Sequence, residues 1–155
     1  MAKDATDAIA LLKADHREVQ ELFANAEQIP KSTFKQEIVR QICHALTVHV
    51  QIEEEVAYPA FRQAGVTSRL MDEASVDRAT IKELVEQLRN MNASDDYYDA
   101  KVKILSGYLT YHVKEEETKI FQEVEGADVD LEEIGQQLVQ RKRELMGELK
   151  KRPAA

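Results

Sequence analysis

Apolar residues recur at alternating steps of three and four along nearly the whole chain, the period of an α-helix with one buried face. In the first segment Ile9, Leu12, His16, Val19, Phe23 and Ala26 share that face. Asp4 or Thr6 can cap its start, and Ile29-Pro30 marks its end. Thr33 with Gln36 reads as a capping box opening a second helix, whose stripe is Ile38, Ile42, Ala45, His49, Ile52 with Glu53, and Val56. Pro59 is expected to bend or end it, and Gly65 to separate it from the next. Thr67 or Ser68 can cap the third helix, with Ala74, Arg78, Ile81, Val85 and Leu88 inward. Asn90 to Ser94 reads as a loop, Ser94 as the next cap, and Asp95-Asp96 as the first turn of a fourth helix. That helix carries Val102, Leu105, Leu109, His112, Glu116 and Ile120 inward and stops at Gly126. Asp130 with Glu133 opens a fifth, which turns Leu131, Ile134, Leu138, Leu145 and Leu149 inward.

Four helices of about 25 residues joined by short loops predict an all-α, up-down-up-down four-helix bundle. It spans residues 1–126, and the additional C-terminal helix of residues 127–155 packs on the bundle or mediates association. Composition narrows the class: among 155 residues only 5 are Gly and 3 Pro, too few turn formers for an all-β sandwich or barrel. The formal charge of −8 repels nucleic acid and anionic lipid, so neither is expected as a partner. The basic cluster Arg141 to Arg143 and Lys150 to Arg152 suits the C-terminal end of a helix. The early apolar run Ala8 to Leu12 is too short for a signal segment, and no stretch approaches a membrane span. The lone Cys43 cannot form an intrachain disulfide and reads as a small core residue. Together these features predict a cytoplasmic protein.

The inward stripes are not clean. His16 sits in the first, His49 and Glu53 in the second, Arg78 in the third, His112 and Glu116 in the fourth. A lone buried His is usually just a hydrogen-bonded core residue. A set that includes carboxylates costs several kcal/mol unless its members, or a metal, compensate one another. Helix lengths place these residues within about two turns of one depth. Two segments also repeat: His49-Val50-Gln51-Ile52-Glu53-Glu54 and His112-Val113-Lys114-Glu115-Glu116-Glu117, each with an aromatic nine residues after its His, Tyr58 in one copy and Phe121 in the other. Residues i and i+4 share a helix face, so each copy offers one imidazole and one carboxylate to a common centre.

These residues resemble the hemerythrin-like HHE cation-binding family over about residues 8 to 123. The resemblance implies a four-helix bundle around a non-haem, usually di-iron, centre. His16 then matches the family His of the first helix, while His49 with Glu53 and His112 with Glu116 match its two HxxxE pairs, the glutamates bridging. The third helix departs, because Arg78 stands where the family shows His, and a guanidinium has no lone pair to give. His44 is a poor substitute, since it points roughly 140° away from His49.

Three arrangements follow. Two ions bind, with water, Asp77 or Glu117 filling the gap; or one ion binds and Arg78 bridges Glu53 and Glu116; or the site is a metal-free polar network. The donor types suit iron, with manganese or zinc as alternatives. By resemblance the expected role is handling dioxygen, nitric oxide, peroxide or iron in sensing, storage or stress response, with a small diatomic or peroxide ligand as partner. The alternative is a metal-poor or mono-metal bundle acting as a structural or interaction module, because Arg78 replaces a family His ligand, with a protein partner or a homodimer formed through the C-terminal helix.

Other classes find little support. A ferritin-like oxidase needs Glu-x-x-His, and no His here has Glu three residues before it. Neither GxSxG nor GxxxxGK[ST] occurs. Glu54, Glu55, Glu115 and Glu117 read as solvated faces, with Glu54 and Glu117 in reach of a metal if the helix rotates. Tyr108, one turn before His112, is a candidate support for that ligand, and Tyr97, Tyr98 and Tyr111 read as packing or surface.

Overall fold

A computed structural model of the chain describes residues 7–30 and 33–151, apart from the side chains of Thr33 and of 149–151. Among these residues it is all-helical. Helix α1 is Ala8–Gln28. Helix α2 runs from Thr33–Ile52 through a π-helical turn at Glu53–Ala57 into Tyr58–Gln63. Helix α3 is Ser68–Arg89. Helix α4 runs over Tyr98–Glu115, a second π-helical turn at Glu116–Ile120, and Phe121–Glu125. Helix α5 is Leu131–Lys151. The first four form the bundle, with α1 packed on α2, α2 on α3 and α3 on α4. Helix α5 lies against α1 and α2.

The inward stripes of α1, α3 and α4 are buried as their periodicity predicts. Helix α2 buries more than its expected stripe. Val39, Cys43, Leu46, Val48 and Val50 are inside as well, whereas Ile38, Ala45 and Val56 are only half-buried. The reason is position: α2 touches α1, α3 and α5, and an element packed on three sides needs an apolar surface wider than one stripe.

The caps required several corrections. Asp4, Thr6 and the side chains of Thr33 and Leu149 lie outside the described residues. Asp7 caps α1, accepting from the N–H groups of Ile9 and Ala10 at 2.9 and 3.1 Å. Gln36 accepts from Ala93 N–H at 2.8 Å, tying the start of α2 to the loop before α4. Thr67 holds the cap position of α3, but its hydroxyl and N–H both donate to Glu123. Helix α4 begins later than Ser94: Tyr97, at φ 71°, is the residue before it. Pro59 does not end α2, which continues to Gln63. It ends instead in a Schellman turn, with Val66 N–H bonded to Phe61 C=O at 3.1 Å and Gly65 at φ 96°, a conformation that favours glycine. Asp130 caps α5 through Glu133 N–H at 3.0 Å, as its spacing predicts.

The core falls into two apolar clusters. One gathers Leu12, Ile52, Phe61 and Phe121 with Ile134, Leu138 and Leu145 of α5. The other gathers Val19, Phe23, Ile42, Leu46, Ile81, Val85 and Leu109. Along α1, His16 falls between Leu12 of the first and Val19 of the second, so the polar site occupies the seam between them. No described helix is long and apolar enough to cross a membrane.

Candidate metal centre

All five residues expected to bind metal meet. One ligand atom from each of His16, His49, Glu53, His112 and Glu116 can be chosen so that all lie within 4.8 Å of one another, and none of the five is more than 3% exposed. The three imidazoles converge, with ring centroids 4.9 to 6.2 Å apart. His16 Nε2 is 2.9 Å from Glu116, and His112 Nε2 is 3.2 Å from Glu53 and 3.5 Å from Glu116. His49 Nε2 is 3.3 Å from Glu53 in its own copy of the motif.

Both copies share a backbone device. The π turns begin at the two glutamates, whose carbonyls accept from the N–H five residues on, that of Tyr58 for Glu53 and that of Phe121 for Glu116. Single π turns inside α-helices recur at functional sites. Pro59 follows the first turn and is absent from the second, so the missing proline N–H is not their common cause.

The outward faces of two rings are braced. His16 Nδ1 lies 2.6 Å from Glu117, which also takes Arg17 at 2.6 Å. His49 Nδ1 lies 3.3 Å from Asp15, whose other oxygen accepts from Lys142 of α5 at 2.6 Å. A carboxylate on Nδ1 holds that nitrogen's proton and leaves the Nε2 lone pair facing the centre. Tyr58 donates a short hydrogen bond to Glu116. Sequence reading missed Asp15 and Lys142 and treated Glu117 mainly as a solvated face. Asp15 and Glu117 each adjoin a ligand in sequence, which is the one local signal they carry. Tyr108 faces solvent and does not support His112. His44, Asp77 and Glu54 lie outside the cluster; Glu54 pairs with Lys82 at 3.0 Å.

Arg78 is buried beside the site, but it does not bridge the two glutamates. Its guanidinium stacks on Tyr58, 3.9 Å from the ring centre, and donates to Ser75 at 3.1 Å. The stack holds the cation one side chain short of Glu116, with Tyr58 as the link.

The acids and imidazoles of the cluster shift one another's proton affinities. Burial disfavours charge on every member, yet Glu53 and Asp15 outweigh it and hold the proton affinity of His49 well above the ordinary value. His112 is raised in the same way by Glu116 and Glu53. Burial is likewise overcome at Glu53, where His49 and His112 drive the carboxyl well below its usual range. Burial and the nearby Glu53 raise Glu116. Six atoms of the cluster have no hydrogen-bond partner: Nε2 of all three His, both oxygens of Glu53 and one of Glu116. They are near enough to attract as charges and misaligned for hydrogen bonds. Unmet, such groups cost about 1–3 kcal/mol each, which for the set approaches the whole stability of a domain.

A metal ion would answer one such atom from each of the five residues. Opposite donors about 2.1 Å from a single ion stand about 4.2 Å apart, close to the spread of this set. Donors at the far ends of an ion pair separated by about 3.5–4 Å would stand about 7–8 Å apart. The residues present therefore fit a metal.

Known proteins share this fold and family. A solved structure, that of a hemerythrin HHE cation-binding domain-containing protein from Mycobacterium kansasii, superposes with a TM-score of 0.75 at 20% identity. The match covers 92% of this chain and 88% of that one, and at this identity it shows the fold. A DNA nickase from Nostoc sp. is 33% identical over 114 residues, which are 72% of this chain and 31% of the relative, so the chain spans under a third of that protein. The family model for the hemerythrin HHE cation-binding domain matches residues 7–124, and with that the chain belongs to the hemerythrin HHE family.

Proposed function

We propose that this domain holds a non-haem iron ion and presents it to a small diatomic or peroxide ligand, in handling dioxygen, nitric oxide, peroxide or iron. One observation carries the reading: the five donors meet in the buried interior, bordered by a cleft of about 10 Å³ that Tyr58, Asp77, His112 and Glu116 line. That is about the space one water needs, which suits a diatomic better than a metabolite. With one atom from each of the three imidazoles and two carboxylates, one position of a six-coordinate ion is left for an outside ligand.

A single ion is the reading that charge favours over the bridged pair. Glu53 and Glu116 balance one divalent ion, and Arg78 adds a fixed positive charge nearby. A second ion would add positive charge that no described carboxylate of the cluster offsets. Iron bound here would supply a Lewis-acidic, redox-active centre. His16, His49 and His112 would hold it through Nε2, while Glu117 and Asp15 fix the first two rings. A nuclease reading would rest on the name of the DNA nickase alone, and a phosphodiester cannot reach donors buried this deeply. The free, buried Cys43 suits a reducing cytoplasmic setting, which belongs to the same proposal.

Elemental analysis of iron-loaded protein tests the reading. About one iron per chain is expected, together with a visible band on adding nitric oxide and none on adding tert-butyl isocyanide. Two irons per chain would overturn the single ion, and no metal would overturn the centre itself.

A further inference from the structure

Helix α5 lies beyond residues 7–124, the stretch that the family model matches, yet it reaches the site. Two consecutive side chains make the contact. Arg141 pairs with Glu55 at 2.5 Å, inside the π turn that begins at the ligand Glu53. Lys142 pairs with Asp15 at 2.6 Å, and Asp15 touches Nδ1 of the ligand His49. Resting on the metal-centre reading above, we infer that Lys142 and Asp15 are positioning residues for His49, so that the fifth helix sets how tightly the metal is held.

Geometry separates this pair from an ordinary surface salt bridge. The Asp15 side chain is only 10% exposed, and its two oxygens face two different partners, Lys142 and His49. An exposed pair holds two flexible side chains to each other and does little else. Here one end of the pair is anchored to a ring whose angle decides where Nε2 points. Lys142 itself stands on the wall of a groove of about 470 Å³ between α1, α2 and α5, which Asp15, Val19, His44 and Met146 also line. It can therefore be shortened or neutralised without opening the apolar core. Removing it leaves Asp15 free to turn towards the groove and His49 without its brace. Supports of this kind typically change metal affinity by about 10–100-fold when lost.

The test uses the full chain and cobalt(II), whose visible spectrum reports ligand geometry, with affinity read by chelator competition. Lys142→Met and Asp15→Asn should each bind cobalt about 10–100-fold more weakly with an altered spectrum, while Lys142→Arg keeps most of the affinity. The double variant should lose no more than the worse single one, because both changes break one chain of contacts. Arg143→Met, exposed on the same helix, serves as the control and should match the wild type. Affinities within twofold of wild type for both single variants, or losses that add in the double, would overturn the inference while leaving the metal centre standing. A wild-type chain that binds no cobalt would overturn both. Melting of the metal-free variants separates positioning from folding: a Lys142→Met protein that binds weakly only because it has unfolded would count against the relay.

Discussion

The two HxxxE copies share their His, the Val after it and two consecutive Glu, and they are differently housed. His49 and Glu53 are braced from outside the bundle, His49 through Asp15 and Lys142 and the following turn through Arg141 and Glu55. In the second copy, Glu116 is held from within the bundle, by Tyr58 of α2 and His16 of α1. Its outer pairs stay within the bundle too: Glu117 takes Arg17 of α1 at 2.6 Å, and Lys119 pairs with Glu115 of its own helix at 2.8 Å. A repeated motif thus delivers matched ligands, and what surrounds each copy decides how firmly they are aimed. The lone departure, Arg78 on α3, follows the same logic: it acts through Tyr58 rather than on the metal position directly.

Breaking the copies one at a time gives the largest effect. His49→Ala and His112→Ala should each remove most bound metal and lower the melting temperature of the metal-loaded protein, because each ring serves the same ion. A ligand present at 100 times its dissociation constant adds about 2.7 kcal/mol to native stability, and that contribution is what disappears. Full occupancy and unchanged melting in both would remove these residues from the site. Loss in one alone would show that the copies bind separately.

A pH series sharpens the comparison. Glu53 and Asp15 raise the proton affinity of His49 well above its ordinary 6.5, and Glu116 and Glu53 raise that of His112. Metal must displace those protons, so affinity should fall as pH falls, with the loss already under way above pH 6.5. The metal-free chain should run the other way. A His whose folded value is raised contributes stability that is fully present below about 6.5 and is lost as pH rises through the folded value. Chelator competition and metal-free melting between pH 6 and 9 read both slopes. A flat affinity profile would mean that the imidazoles do not bind metal.

Pro59→Ala carries the smallest expected change. Since the second π turn forms without a proline, the first should persist, with stability within about 1 kcal/mol and metal content unchanged. A gain near 3 kcal/mol, the usual cost of proline inside a regular helix, would show that Pro59 strains the first copy alone.

Much of this site could be read from period alone. A helix repeats its face every three to four residues, so His16, His49, Glu53, Arg78, His112 and Glu116 announce themselves as polar residues in apolar stripes. The same rule located the inward faces of α1, α3 and α4 correctly. It underestimated α2, because the number of neighbours a helix will have is not written in its own pattern. Caps fared worse. Ser94 has the right chemistry, yet α4 starts only after Tyr97, since the loop is held by Gln36 from a distant helix.

The sequence by itself determined the bundle, the depth of the five donors and their meeting, because local periodicity and helix rise act on every residue alike. Only the tertiary structure decided which groups support them. Asp15 and Lys142 are 127 positions apart, and no local rule relates a lysine on an outer helix to a carboxylate beside a buried ring. The placing of Arg78 on Tyr58, rather than between the glutamates, was settled the same way. A long side chain has several partners in reach, and the packing of its neighbours selects one.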